Sequence, residues 1–144
     1  MLKTPTLPEE LWPLLDVESI ETEGCAICGR WSPIERHHIV WRSQGELFDE
    51  KGKPRPKPTI TVCGFGNNLR DADGIVYCHG AIHHRMLHLR NHEGRLQYLW
   101  TAYPTKYHIA LTLPEWQDVG KWSKYRARGV TAKRYRGGML DVPI

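Results

Sequence analysis

The sequence has no apolar run that approaches the ~20 residues needed to span a membrane. Its opening stretch, MLKTPTLPEELWPLL, has a single lysine and an early Pro-Glu-Glu, so it lacks the charged head and apolar middle of a signal peptide. Internal repeats and low-complexity tracts are also missing. These absences argue against a membrane protein or a secreted one, and we expect an intracellular chain with no membrane partner.

The composition predicts one small domain that is rich in loops. The chain has 144 residues, of which 40% are hydrophobic, with 10 prolines and 13 glycines. A small, loop-rich domain often depends on a metal or a disulfide for stability. Four cysteines are available for this. In a reducing compartment such cysteines more often bind metal than form disulfides.

Charge is distributed unevenly along the chain. The net charge is +4, yet residues 1–24 carry six acidic side chains against Lys3 alone. The opposite end, residues 121–136, has no acid and seven cations: Lys121, Lys124, Arg126, Arg128, Lys133, Arg134 and Arg136. A basic tail of this kind suits a polyanion such as DNA or RNA, and a merely solvated tail is the alternative.

Hydrophobic periodicity and turn residues predict the elements of the first half of the chain. Residues 7–22 favour a short helix that begins at Pro8, packs three leucines and is interrupted by Pro13. Residues 34–41 and 59–63 are rich in β-branched and aromatic residues and are predicted strands. Residues 75–77 form a brief β-prone run that we expect to pair with residues 34–41.

The second half is predicted as one helix followed by two strands. From Cys78 onward, Ile82, Met86 and Leu89 recur at helical spacing, and Gly94 is the expected stop. The segments RLQYLWTAY and KYHIALTL then favour strands on either side of Pro104.

The four cysteines have the features of a zinc site. Cys25 and Cys28 form a Cys-x-x-Cys half-site, which is common in tetrahedral zinc centres. Cys63 is followed by Gly-Phe-Gly, whose glycines let backbone amides turn toward the sulfur. Cys78 begins the predicted helix, where the helix dipole favours a thiolate. We therefore predict a structural Zn²⁺ held by all four, with unliganded or disulfide-bonded cysteines as the alternative.

Eight histidines are present, and their placement is more informative than their number. His37 and His38 are neighbours on a predicted strand, so they point to opposite sides and can take different roles. His79 and His83 lie four apart on the predicted helix and share a face. The remaining ones, His84, His88, His92 and His108, are interpreted as solvated or core side chains.

Taken together, these motifs resemble the HNH (ββα-metal) nucleases of phages, prophages and mobile elements. That family's pattern opens with Cys-x-x-Cys, continues with a doublet ending in His and a loop containing Asn-Leu, and ends in Cys-His with a second His four residues on. The corresponding residues here are Cys25-x-x-Cys28, His37-His38, Asn68-Leu69 and Cys78-His79-Gly-Ala-Ile-His83. The resemblance covers residues 25–90. It departs from the pattern at Ile75, where a second cysteine pair usually begins, and at the inserted turn of residues 71–74.

The resemblance implies a role for each matching residue. His37 and His79 would ligate a catalytic divalent ion (Mg²⁺, Mn²⁺, Ni²⁺ or Zn²⁺), and His83 would complete its shell or bind the scissile phosphate. His38 would be the general base, because a neutral imidazole accepts a proton from water near physiological pH. Asn68, with Asn67 as the fallback, would orient that base. The implied products are 5′-phosphate and 3′-hydroxyl ends.

The resemblance also sets the expected architecture and partners. The expected fold class is α+β, with a ββα-metal core, a zinc knuckle, an N-terminal helical segment and an appended C-terminal β/basic extension, divided at residues 1–24, 25–93 and 94–144. DNA is the expected substrate, with RNA as the alternative, and Arg42 joins the basic tail in the predicted nucleic-acid-binding set. Phage packaging or mobile-element proteins are candidate partners, in the cytoplasm of a bacterial or phage-infected cell. Two other functions stay open: a catalytically inactive, zinc-stapled nucleic-acid-binding module, and a host-defence or toxin nuclease.

Overall fold

A computed structural model describes residues 6–66 and 68–119, and they form two antiparallel sheets joined by short helices and loops. The first sheet pairs β1 (Ile34–His38) with β2 (Thr59–Cys63), and the second has the order β3 (Leu87–His92), β4 (Arg95–Trp100), β5 (Gln117–Asp118). Two α-helices, α1 (Cys78–His83) and α2 (Tyr107–Ala110), and two 3₁₀ helices, Glu9–Asp16 and Arg42–Gln44, complete the regular elements of these ranges. The mixed α and β character of the predicted fold class is confirmed.

The β1–β2 pair positions the histidine doublet. In its register His37 lies opposite Ile60 and His38 opposite Thr59. The predicted strand over 34–41 was too long at its end. The pairing ends at His38 and Thr59 because Pro58, the residue before β2, has no N–H to donate to β1. The Pro58 carbonyl still accepts a hydrogen bond from the Ile39 amide at 2.9 Å. The strand predicted over 59–63 is confirmed.

The segment 75–77 is not a strand of this sheet, so the predicted pairing with residues 34–41 was wrong. β2 is the strand that pairs with β1. Val76 forms only an isolated bridge with Arg70, across a turn in which Asp71 accepts hydrogen bonds from the amides of Asp73 and Ile75. Residues 70–76 therefore close a local loop that leads directly into α1.

The long helix predicted from Cys78 to Gly94 was also wrong beyond His83. Arg85 adopts a left-handed backbone conformation (φ 61°), and the Met86 amide donates to the Ala81 carbonyl at 2.9 Å, which closes the end of α1. The chain then reverses into β3. Only His79 and His83 of the predicted helical histidines share this helix, while His88 and His92 lie on β3.

β3 and β4 form a hairpin whose turn explains the misassignment of Gly94. Glu93 (φ 53°) and Gly94 (φ 85°) are both left-handed, as in the two-residue turns that connect twisted strands. Gly94 thus ends a strand rather than a helix. The strand predicted at RLQYLWTAY is confirmed as β4 over RLQYLW and was too long by residues 101–103. The boundary that we place between residues 93 and 94 falls within the hairpin turn.

The segment KYHIALTL is helical, so the strand predicted there was wrong. The amides of Ala110 and Leu111 donate to the carbonyls of Lys106 and Tyr107, each at 3.0 Å, which is the α-helical pattern. Tyr107 and Ala110, three apart, face the interior of the protein, and the Tyr107 hydroxyl donates to the Leu89 carbonyl at 2.6 Å. The outer edge of β4 pairs with β5 instead.

The predicted N-terminal helix is present as the 3₁₀ helix Glu9–Asp16, which packs on β3. Its buried residues are Leu11, Leu14 and Leu15, as the leucine spacing predicted. The Asn91 side-chain amide donates to the Pro13 carbonyl at 2.8 Å. Among the described residues, no helix is long and apolar enough to cross a membrane.

Candidate metal centres

The four cysteines come together in the core. Cys25, Cys28, Cys63 and Cys78 are all buried, and their sulfur atoms lie within 4.8 Å of one another. The Sγ atoms of Cys28 and Cys63 are 3.6 Å apart. Sulfurs held about 2.3 Å from a tetrahedral zinc lie roughly 3.8 Å apart, whereas a disulfide would bring them to about 2 Å. The spacing therefore fits a shared metal ion.

Backbone amides also indicate that the sulfurs are placed to bind a metal ion. The amides of Ile27 and Cys28 both donate to the Cys25 Sγ at 3.4 Å, and the Cys78 amide donates to the Cys63 Sγ at 3.2 Å. Such N–H···S bonds stabilise thiolates, which are the metal-binding form of cysteine. Cys63, which is distant in sequence from the Cys-x-x-Cys half-site, reaches the cluster because it is the last residue of β2.

The electrostatics of the cluster call for a cation. Burial raises the pKa of the Cys25 thiol, but hydrogen bonds from the other three thiols and from the Cys28 amide outweigh it and hold that pKa well below its usual range. Its contact with Cys25 raises the pKa of Cys28. Burial, followed by contacts with the other three thiols, raises the pKa of Cys78. These contacts favour the thiolate form at Cys25. A divalent cation bound by the four sulfurs would favour the thiolate form at each of them.

Three histidines form a second cluster next to the first. His37 comes from β1, and His79 and His83 come from α1; their ligating nitrogen atoms all lie within 4.8 Å of one another. The Nε2 atoms of His79 and His83 are 3.2 Å apart. Nitrogens held about 2.0–2.1 Å from a tetrahedral ion lie roughly 3.3 Å apart, so the two helical histidines fit one metal ion.

Burial keeps the histidine cluster neutral. Burial, followed by the neighbouring His79 and His83, lowers the pKa of His37 to about 3. Burial also lowers the pKa of His79 and of His83, although Glu35 opposes it in both. Neutral imidazoles have the free lone pair that metal ligation requires.

Glu35 was missed by the sequence reasoning, although its position two residues before His37 places both on one face of β1. The His79 Nδ1 atom is buried without a hydrogen-bond partner, and the Glu35 Oε2 atom lies 3.5 Å from it. Nε2 of the same ring faces His83. Glu35 therefore lies on the side of the ring opposite His83, the side from which a carboxylate can orient a metal-ligating histidine.

Trp41 is the second residue that was missed. Its indole N–H donates to the His37 Nε2 atom at 3.0 Å, and its ring lies 4.7 Å from the His83 ring, tilted by 31°. A tryptophan four residues after a strand histidine gives no signal of this contact, because β1 ends at His38 and the chain turns there.

His38, the predicted general base, and Asn68, predicted to orient it, are not in contact through a hydrogen bond in the described ranges. His38 is half-buried and lies outside the three-histidine cluster, whereas its neighbour His37 is buried, as their opposite orientations predicted. Asn68 is exposed, and its side-chain amide donates to the Phe65 carbonyl at 3.2 Å. Within the described ranges no hydrogen bond joins Asn68 to His38, so the roles of both stay predictions. Asn67 lies outside the described residues.

Gly80 ties the Asn68 loop to α1. A Cβ atom at position 80 would lie 2.0 Å from the Asn68 carbonyl oxygen and 2.8 Å from the Leu69 Cα atom. Only glycine allows this close approach, and it lies between His79 and His83. The helix that carries both histidines is thus in direct contact with the loop that carries Asn68.

The remaining predicted residues are distributed outside the two clusters. His88 is buried beside Tyr107, and His84 and His108 are exposed. The seven cations of residues 121–136 lie outside the described residues, as does the side chain of Arg42. Their predicted contact with nucleic acid stays a prediction.

Comparisons with protein-family models, curated proteins and solved structures found no match for this chain. The resemblance to HNH nucleases therefore depends on the residues of this chain and on their arrangement. Two clusters of potential metal ligands, one of sulfurs and one of nitrogens, are the features from which a function can be argued.

Proposed function

We propose that this chain is a metal-dependent endonuclease of the HNH (ββα-metal) type that hydrolyses phosphodiester bonds in DNA. The observation that supports it most directly is the cluster of His37, on β1, with His79 and His83, on α1. A protein that only binds nucleic acid has no need of three neutral, converging imidazoles. In this proposal the four cysteines hold a structural zinc that fixes the start of α1.

Each residue of the histidine cluster would bind the metal ion or the phosphate in this mechanism. A divalent ion bound there would offset negative charge on the scissile phosphate and on the leaving oxygen. His37 and His79 would hold it, and His83 would complete its shell or contact the phosphate. His38 would accept the proton of the attacking water, and Asn68 would hold its loop and orient that base.

Plasmid cleavage tests the proposal. Purified protein should nick or cut supercoiled DNA with at least one of Mg²⁺, Mn²⁺ or Ni²⁺ and should leave it intact in EDTA. His38→Ala should lower the rate by about 10²–10⁴-fold, as expected for loss of a general base, while metal content and DNA binding stay unchanged. His92→Ala is the matched control, since His92 lies on β3 and not in the cluster. Full activity of His38→Ala would refute this mechanism.

A zinc-stapled nucleic-acid-binding module is the second candidate. It is favoured by the indole hydrogen bond on His37 and by the missing hydrogen bond between Asn68 and His38 among the described residues. This candidate predicts salt-dependent DNA binding without cleavage under any of the three metals. The plasmid assay therefore decides between the two.

A further inference from the structure

Trp41 makes a contact that conflicts with metal binding by His37. A neutral imidazole has one protonated nitrogen and one nitrogen with a free lone pair. The indole N–H of Trp41 donates to the His37 Nε2 atom at 3.0 Å, so Nε2 is the unprotonated nitrogen and its lone pair is occupied. The other nitrogen then carries the proton. Neither nitrogen can ligate an ion while this hydrogen bond exists.

Ligation through either nitrogen of His37 would break the contact. If Nε2 binds the ion, the ion takes the lone pair that the indole uses. If Nδ1 binds the ion, the proton moves to Nε2, and two N–H groups then face each other. We propose that Trp41 competes with the divalent ion for His37 and thereby sets the affinity of the histidine cluster for metal. This inference rests on the proposed function, because it requires that the cluster binds an ion.

The surroundings of Trp41 allow its ring to leave while its backbone stays in place. The backbone is held on both sides, because its amide donates to the Gln44 side chain at 2.7 Å and its carbonyl accepts from the Lys57 amine at 3.0 Å. Trp41 is one of the residues that line a cavity of about 460 Å³, whose wall also includes Ile39, Ile82 and His88. The hydrogen bond to His37 can therefore break by a side-chain rotation of Trp41, with the backbone contacts of the loop kept.

The matched variants are Trp41→Phe and Trp12→Phe. The first removes the N–H donor and keeps an aromatic ring beside His83. The second removes an indole hydrogen bond of similar length, from Trp12 to the Leu7 carbonyl at 2.8 Å, away from the cluster. Trp41→Phe should bind added Zn²⁺ about twofold to tenfold more tightly than wild type, as expected when a competing hydrogen bond of ordinary strength is lost. Trp12→Phe should match wild type.

The decisive measurement is the indole N–H region of a ¹H–¹⁵N NMR spectrum, recorded while Zn²⁺ is added to protein that retains its cysteine-bound metal. The Trp41 signal, identified by its loss in Trp41→Phe, should shift as the second equivalent of zinc binds, while the Trp12 signal stays fixed. Zinc binding to Trp41→Phe but not to wild type would equally support the competition.

Two results would overturn the inference. If a second zinc binds and the Trp41 signal does not move, the indole does not compete with metal, although the nuclease proposal would survive. If neither wild type nor Trp41→Phe binds a second ion, this inference fails together with the histidine metal site. Plasmid cleavage, which needs no tryptophan signal, separates the two failures.

Discussion

Alanine at position 80 would place a methyl group against the backbone that carries Asn68 and Leu69. The added Cβ would lie 2.0 Å from the Asn68 oxygen and 2.7 Å from its carbonyl carbon, whereas real Cβ contacts under 3.0 Å essentially never occur. Both neighbours are backbone atoms, so no side-chain rotation can relieve the clash. The Leu69 carbonyl also accepts a hydrogen bond from the Tyr77 amide at 2.8 Å, which holds the loop in place.

The expected magnitude follows from two opposing effects. In an unobstructed helix, replacing glycine by alanine stabilises by about 0.8–1.0 kcal/mol. Overpacking of this kind costs about 1–3 kcal/mol or more. The difference is about 0–2 kcal/mol or more, and the 2.0 Å approach to a backbone oxygen favours its upper end, so we expect Gly80→Ala to lower the free energy of unfolding by about 2 kcal/mol. Because Gly80 lies between His79 and His83, metal affinity at the histidine cluster should fall as well.

Urea unfolding of the zinc-loaded protein measures the first effect, and titration with Zn²⁺ measures the second. Gly74→Ala is the control: Gly74 has a φ of 81° and no heavy atom within 4 Å of an added Cβ. It should lose about 1–2 kcal/mol through its left-handed backbone alone and keep its metal affinity. If Gly80→Ala is as stable as wild type, the close approach of α1 and the Asn68 loop is not present in solution.

Two further predictions concern the two clusters. Protein purified without added metal should contain about one tightly held zinc per chain. Cys63→Ser should lose that zinc and unfold or aggregate, because a structural site contributes folding free energy directly. A folded Cys63→Ser variant that still contains zinc would show that Cys63 is not a ligand. Glu35→Gln should weaken divalent-metal binding by about tenfold, which is the lower end of such effects because the Glu35 side chain is 43% exposed. Glu21→Gln is the control and should leave the affinity unchanged, because Glu21 pairs with Arg36. Equal affinities of both variants in a calorimetric titration would show that Glu35 does not orient His79.

The local parts of the fold were predictable from the sequence. The TITVC strand, the leucines of the N-terminal helix and the strand at RLQYLW follow from residue type and spacing. The clusters were predictable for a different reason. Cys-x-x-Cys and the pair His79 and His83 are local patterns whose geometry a turn or one helical turn already determines.

The errors occurred where tertiary contacts override spacing. Ile82, Met86 and Leu89 fit a helix, yet Leu87 and Leu89 also alternate as in a strand, and pairing with β4 favours the second pattern. A positive φ at Arg85 is needed for that switch, and arginine gives no signal of it. Trp41 and Glu35 were missed because their contacts depend on where β1 ends and on how α1 crosses it. Neither property is encoded in a short motif.

One peptide bond separates Cys78, a member of the sulfur cluster, from His79, a member of the nitrogen cluster. Because Cys78 is the first residue of α1, a metal ion bound to its sulfur would fix where the helix begins and, with it, the positions of the two helical histidines. Metal binding at the cysteines should therefore raise the affinity of the histidine cluster for its own ion. In a zinc-depleted cell the histidine cluster would then lose affinity for its ion although none of its own residues had changed, whereas a chelator that spares the cysteine-bound metal would empty the histidine cluster reversibly.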